Sequence, residues 1–79
     1  MPQLLKLKGY RFYFYSHELG EPPHVHVDKN GCSAKFWLES ITVVRNHHFT
    51  SLELREIARI ISAYRLEFLR RWNEYFNAP

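Results

Sequence analysis

The chain has 79 residues, which is the size of one small domain and excludes a multidomain enzyme. Hydrophobic residues make up 46% of it and charged residues 24%, so the composition predicts a folded chain and excludes a disordered one. Eleven Lys and Arg against eight Asp and Glu give a net charge of +3. That small excess is weak support for an anionic partner such as nucleic acid or an acidic protein.

The single cysteine and the lack of long apolar runs predict a cytoplasmic location. Cys32 is the single cysteine, so a disulfide within the chain is excluded, which suits a reducing compartment. No apolar run approaches the ~20 residues that cross a bilayer, and Lys6 and Lys8 interrupt the apolar residues at the N-terminus, where a signal peptide would be uninterrupted. No phosphate loop or dinucleotide fingerprint is present, and we predict no cofactor.

The first part of the chain has the pattern of β-strands. Two extended stretches are expected in residues 4–17, on either side of Gly9. In the second stretch Tyr10, Phe12 and Phe14 alternate with Arg11, Tyr13 and Tyr15, a period of two that is rich in strand formers. Gly9 is either a tight turn or a bulge. Residues 18–23, with Gly20 and two prolines, are predicted to form a loop.

The strongest local signal is a hairpin centred on Asn30-Gly31. This pair is favoured in two-residue type I′ turns, and it joins two alternating runs, residues 24–28 and 32–39. The turn fixes the register, so that Lys29 lies opposite Cys32 and each earlier residue faces a later one in step. One side is apolar and is predicted to face the core: Val25, Val27, Ala34, Phe36 and Leu38. The other side is predicted to face water: His24, His26, Asp28, Lys35 and Trp37.

A helix is predicted for residues 51–76. Thr50-Ser51-Leu52-Glu53 fits a capping box. One apolar stripe follows at spacings of three and four: Leu54, Ile57, Ala58, Ile61, Tyr64, Phe68, Trp72 and Tyr75. A single helix is favoured over a break near Ser62-Ala63, and residues 41–46 fit either a strand or a helical turn. The prediction is therefore an α+β fold in a single domain, residues 1–79. It has three to four antiparallel strands within residues 4–39 and a long C-terminal helix or helix pair.

The pair His24-x-His26 is the strongest candidate for chemistry. Residues two positions apart on a strand point to the same face, so both imidazoles are expected on one face, about 6.5–7 Å apart. There they could share a proton-transfer task, a phosphate or a metal. A metal would need Asp28, His17 or Glu39 as further ligands, and the spacings typical of zinc sites are absent. We predict no metal. Two histidines on a half-exposed strand that simply bond to their neighbours fit the sequence equally well.

Cations and aromatic rings are expected beside the histidine pair. If the strand around Tyr13 joins the same sheet, Arg11 and Tyr13 lie outside together with Lys35 and Trp37. Such a surface is typical of single-stranded nucleic-acid binding, in which bases stack on rings and cations hold phosphates. The alternative is that the aromatic residues lie under the helix or bind a protein.

Four segments together resemble a family of short bacterial proteins, the DhiT-type toxins, formerly catalogued as a domain of unknown function. The segments are Lys8-Gly9-Tyr10-Arg11-Phe12, Glu21-Pro22-Pro23-His24-Val25-His26-Val27, Ala34-Lys35-Phe36-Trp37-Leu38-Glu39 and Trp72-Asn73-Glu74-Tyr75-Phe76. The resemblance implies a cytosolic toxin of a type II toxin–antitoxin pair that is neutralised by direct binding of a cognate antitoxin. The resemblance does not imply a particular catalytic mechanism.

Our hypothesis from the residues is that the toxin acts on RNA. His24 or His26 would move a proton during phosphodiester cleavage, and Lys35 or Arg11 would stabilise the charged phosphate. Tyr13 and Trp37 complete the anion-binding and stacking surface. The competing hypothesis is a non-enzymatic module that binds a protein or nucleic acid, or that regulates with its partner. The predicted partners are the antitoxin, RNA and a second copy of the chain, with no membrane.

Overall fold

The structure, a computed structural model, describes residues 3–15 and 20–77. These residues form five strands and one helix: β1 (Gln3–Leu7), β2 (Tyr10–Tyr13), β3 (His24–Lys29), β4 (Cys32–Trp37), β5 (Thr42–His47) and α1 (Ser51–Asn77). The strands form one antiparallel sheet in the order β1-β2-β3-β4-β5. The α+β prediction is confirmed, and the predicted count of three to four strands is corrected to five.

Two hairpin turns set the register of the sheet. At the first turn Leu7 pairs with Tyr10, and the two residues between them have positive φ, 53° at Lys8 and 83° at Gly9. Gly9 therefore lies in a tight turn of the type I′ kind and not in a bulge. The second turn has the same form at Asn30-Gly31, and the predicted pairing from Lys29 opposite Cys32 to His24 opposite Trp37 is confirmed at every step.

Residues 41–46 fit either a strand or a helical turn in the sequence, and the structure has the edge strand β5 at Thr42–His47. Its first three residues, Thr42, Val43 and Val44, are β-branched and favour extended backbone. β5 pairs with β4 from Trp37–Thr42 to Ser33–His47, with one shift in register at which Val44 is the extra residue. Every side chain of β5 is exposed, so the strand lacks the alternation that burial imposes.

The helix is one unbroken element that runs along the whole molecule. The capping box is confirmed, because the Thr50 amide donates to the Glu53 carboxylate at 2.9 Å and the Glu53 amide donates to the Thr50 hydroxyl at 3.1 Å. Its 27 residues correspond to about 40 Å, and the longest dimension of the fold is 39 Å. In the described residues no helix is long and apolar enough to cross a membrane.

The core lies between α1 and one side of the sheet, which we call the inner face. Phe12 of β2 and Phe68 of α1 meet there with ring centroids 5.8 Å apart, and Ile57 and Ile61 are fully buried. Tyr64 and Tyr75, predicted within the buried stripe, are instead 37% and 50% exposed. The opposite side of the sheet, the outer face, carries the residues predicted for the functional site.

Candidate functional site

The strand pairing brings the predicted site residues together on the outer face. Tyr13, His26 and Lys35 face one another across β2, β3 and β4. Arg11 lies opposite Asp28 in the adjacent row. His24 and Trp37 form a third pair between β3 and β4. The six residues predicted for the site therefore share one surface, while the roles assigned to them stay predictions.

The two histidines do not face water, which corrects the expectation for that surface. The exposed fraction is 0% for His24 and 6% for His26. The ring of Trp72, near the end of α1, lies 4.8 Å from the His24 ring. Tyr13 and Tyr15 lie 5.4 and 4.8 Å from the His26 ring. Large rings from α1 and from the chain around β2 therefore close over the imidazoles.

The imidazoles are held in a fixed mutual orientation. Their ring centroids are 5.2 Å apart and the ring planes are perpendicular, at 89°. The His24 Nδ1 atom lies 3.0 Å from the carbonyl oxygen of Pro22 and 3.9 Å from a carboxylate oxygen of Glu21. Because a carbonyl oxygen only accepts a hydrogen bond, this contact assigns the donor role to Nδ1. The Pro-Pro segment thus fixes the tautomer of the first histidine.

Arg11 and Tyr13 are both bound to Asp28. The Arg11 guanidinium contacts one carboxylate oxygen of Asp28 at 3.1 Å, and the Tyr13 hydroxyl donates to the other at 2.9 Å. Burial is the main cause that raises the pKa of Tyr13 far above its usual value, and hydrogen bonds to Tyr15 and Asp28 add to it. Tyr13 is therefore a neutral donor, and the charge of Arg11 is balanced within the fold.

Lys35 is also neutralised from within the chain. Its ammonium group lies 2.7 Å from a carboxylate oxygen of Glu21, and only 13% of its side chain is exposed. The same ammonium group is 5.1 Å from the centroid of the Trp37 ring, within the range of a cation–π contact. Two predicted phosphate ligands, Arg11 and Lys35, thus each have a carboxylate partner that balances their charge.

Several residues of this surface were not predicted for the site. Asp28 lies two residues after His26, on the same face of β3. Its ion pair with Arg11, however, depends on the β2–β3 register, which has no local signal in the sequence. Trp72 fitted the apolar helical stripe, and nothing in that pattern indicated a contact with His24. Arg45 lies opposite Lys35 across β4 and β5, and was missed because the strand itself was ambiguous.

Metal ligation has no support in the described geometry. Among residues 3–15 and 20–77 no three His, Cys, Asp or Glu side chains are grouped so that they could hold a metal ion. His17, one of the further ligands considered, lies outside the described residues. The arrangement is a network of stacked rings and internal ion pairs, with the half-buried Trp37 and the exposed Arg45 at its border.

Comparison with known proteins places the chain in a family. Neither the curated proteins nor the solved structures contain a significant match. One protein-family profile, described as a domain of unknown function (DUF4160), matches residues 9–73, more than four-fifths of the chain. The match includes the Pro-Pro-His-Val-His-Val segment and both hairpin strands that carry the histidines and Lys35, and its description gives no activity. The chain therefore belongs to the DUF4160 family of domains of unknown function.

Proposed function

We propose that the chain is the toxin component of a bacterial toxin–antitoxin pair, and that it acts by binding another macromolecule and not by histidine catalysis. The toxin assignment rests on the resemblance of the four sequence segments. The mode of action rests on one observation, the burial of both imidazoles beneath aromatic rings.

Burial opposes catalysis for a geometric reason. A general acid or base must come within about 2.6–3.2 Å of the proton that it transfers. His24 is fully buried and His26 is packed against two tyrosine rings, so a substrate would first have to displace those rings. Each aromatic contact is worth about 0.5–1.5 kcal/mol beyond its buried area, so opening the cluster carries a substantial cost before any chemistry begins.

The experiment has two parts that can fail separately. The chain is first induced alone in a bacterial host, and then together with the protein encoded beside it. The proposal predicts growth arrest that the second protein relieves; growth without arrest would contradict the toxin assignment. The purified chain is next incubated with total RNA. Intact RNA is the expected result, and defined cleavage products would contradict the binding mechanism.

RNA binding without cleavage is a second candidate, favoured by one group of residues. Arg45 lies opposite Lys35 and makes no ion pair or hydrogen bond with any residue that the structure describes. Glu21 balances the charge of Lys35, so the charge of Arg45 is left for a phosphate group of RNA. Trp37, which is half-buried beside Lys35, could stack a base.

The RNA candidate is tested by the salt dependence of binding. Each phosphate contact to a single strand contributes about 0.7 to the slope of log affinity against log salt concentration. Arg45→Gln should lower that slope by about this amount for a single-stranded oligonucleotide. Lys6→Gln removes the same charge from the opposite edge strand, β1, and should leave the slope unchanged. Equal effects of the two substitutions would contradict a site at Arg45.

A further inference from the structure

An exposed stripe on α1 combines leucines with arginines. Leu52 is 70% exposed and Leu66 is 79% exposed, and they lie fourteen residues apart in sequence, which is about 21 Å along the helix. Arg55 and Arg59 lie between them on the same side of the helix, opposite the buried Ile61. We call Leu52, Arg55, Arg59 and Leu66 the exposed stripe.

The two arginines of the stripe are not neutralised within the fold. Arg55 and Arg59 are four residues apart, a spacing at which like charges destabilise a helix. Neither makes an ion pair or hydrogen bond with the residues between 3 and 15 or 20 and 77. Glu56 is the single carboxylate one turn from Arg59, and it is occupied by the Tyr10 hydroxyl at 2.8 Å and by Lys8 at 3.8 Å.

The other half of α1 shows the contrast. Arg70 contacts Glu67 at 2.6 Å and Glu74 at 2.8 Å, so its charge is balanced by acids on the same helix. The chain thus supplies two carboxylates to one exposed arginine near the C-terminal end. It supplies no carboxylate to Arg55 and Arg59 near the N-terminal end. The positive charge of the exposed stripe is therefore available to a partner molecule.

A shallow cleft borders the stripe at Arg59. It lies between α1 and β1 and has a volume of about 430 Å³, and Leu7, Ile60 and Tyr64 contribute to its walls. A second, more open depression of about 490 Å³ lies on the stripe itself and is lined by Leu52, Arg55, Ala58 and Arg59. Each cleft offers apolar surface beside an unbalanced arginine. Such a surface fits side chains that alternate between carboxylate and aliphatic groups.

We propose that the exposed stripe of α1 is the docking surface for an acidic amphipathic segment of the partner protein. The proposal rests on the proposed function, since that function supplies the partner. Carboxylates of the segment would pair with Arg55 and Arg59, and its apolar residues would cover Leu52 and Leu66. A second copy of the chain is disfavoured by its net charge of +3. RNA is disfavoured because the four residues of the stripe include no aromatic ring, and the neighbouring Tyr64 already stacks against Phe68 with ring centroids 6.0 Å apart.

The test uses a labelled synthetic helical peptide as the probe, with leucines on one side and glutamates flanking them. A control peptide replaces each glutamate by lysine. The native chain should bind the first peptide and not the second. The double variant Arg55→Glu/Arg59→Glu should weaken binding by about tenfold or more. Lys6→Glu reverses one exposed charge on β1 and should have little effect on peptide binding, whereas Arg59→Glu alone should weaken it. Equal loss in these two single variants would overturn the docking site.

Further measurements separate the inference from the proposed function. Leu52→Ser/Leu66→Ser changes two largely exposed side chains and should also weaken peptide binding; unchanged binding would contradict the apolar part of the surface. The protein encoded beside the chain should displace the peptide. A peptide that binds at the stripe but is not displaced would refute the assigned partner while leaving the surface in place. Self-association that Leu52→Ser/Leu66→Ser abolishes would instead identify a second copy as the occupant and overturn the proposal.

Discussion

Replacing His26 by alanine tests whether the histidine pair is part of the packed structure. The side chain is 6% exposed, and its ring contacts Tyr13, Tyr15 and His24 at centroid distances of 5.4, 4.8 and 5.2 Å. Three aromatic contacts at the low end of their range contribute about 1.5 kcal/mol. Loss of the buried ring area adds about 1–2 kcal/mol, so we expect His26→Ala to lower the free energy of unfolding by about 3 kcal/mol.

That loss is large for a domain of this size. At about 0.05–0.15 kcal/mol per residue, a chain of 79 residues has a free energy of unfolding of about 4–12 kcal/mol. Urea denaturation followed by circular dichroism measures the change, and an unchanged slope would show that the unfolded state is the same in both proteins. His47→Ala is the matched control, because His47 is exposed on β5 and should change stability by less than about 0.5 kcal/mol. Equal, small effects of the two substitutions would refute the packed role of His26.

Three further predictions concern the rest of the fold. Burial and the Glu56 carboxylate raise the pKa of Tyr10 from 10.0 to about 12. The stability that this shift contributes is complete below pH 10 and should be lost between pH 10 and 12, because Tyr10 ionises at lower pH in the unfolded chain than in the folded one. Denaturation measured across this pH range should show a shallower alkaline decline for Tyr10→Phe. Thr50→Ala removes the hydroxyl that accepts from the Glu53 amide and should cost about 0.5–2 kcal/mol in urea denaturation. Gly31 has φ of +80° with open space around an added Cβ, so Gly31→Ala should cost about 1–2 kcal/mol from backbone conformation alone, measured as a lower melting temperature.

Local signals in the sequence were sufficient for the central hairpin and for the start of the helix. Asn30-Gly31 determines the turn type, the turn determines the register, and the register places His24 opposite Trp37. The capping box at Thr50 likewise depends on residues three apart. In both cases the determining residues are neighbours in the chain, so their pattern is sufficient.

Burial of the outer face could not be predicted in the same way. His24 is covered in part by Trp72, which is 48 residues later in the sequence, and the contact depends on how far α1 runs along the sheet. Similarly, the pairing of Asp28 with Arg11 depends on the β2–β3 register, and ten residues separate those strands in the sequence. Strand β5 gave no two-residue period because all of its side chains are exposed. Tertiary packing, and not local preference, decided each of these features.

Replacing both imidazoles by phenyl rings separates binding from histidine catalysis. His24→Phe/His26→Phe preserves aromatic side chains at both positions but leaves no group that can transfer a proton. The variant and the native chain are induced separately in the same host, and circular dichroism of the purified variant verifies its fold. If the chain acts by binding, both proteins should arrest growth equally. Arrest by the native chain together with full growth in the presence of the folded variant would show that the imidazoles act chemically and that the binding mechanism is wrong.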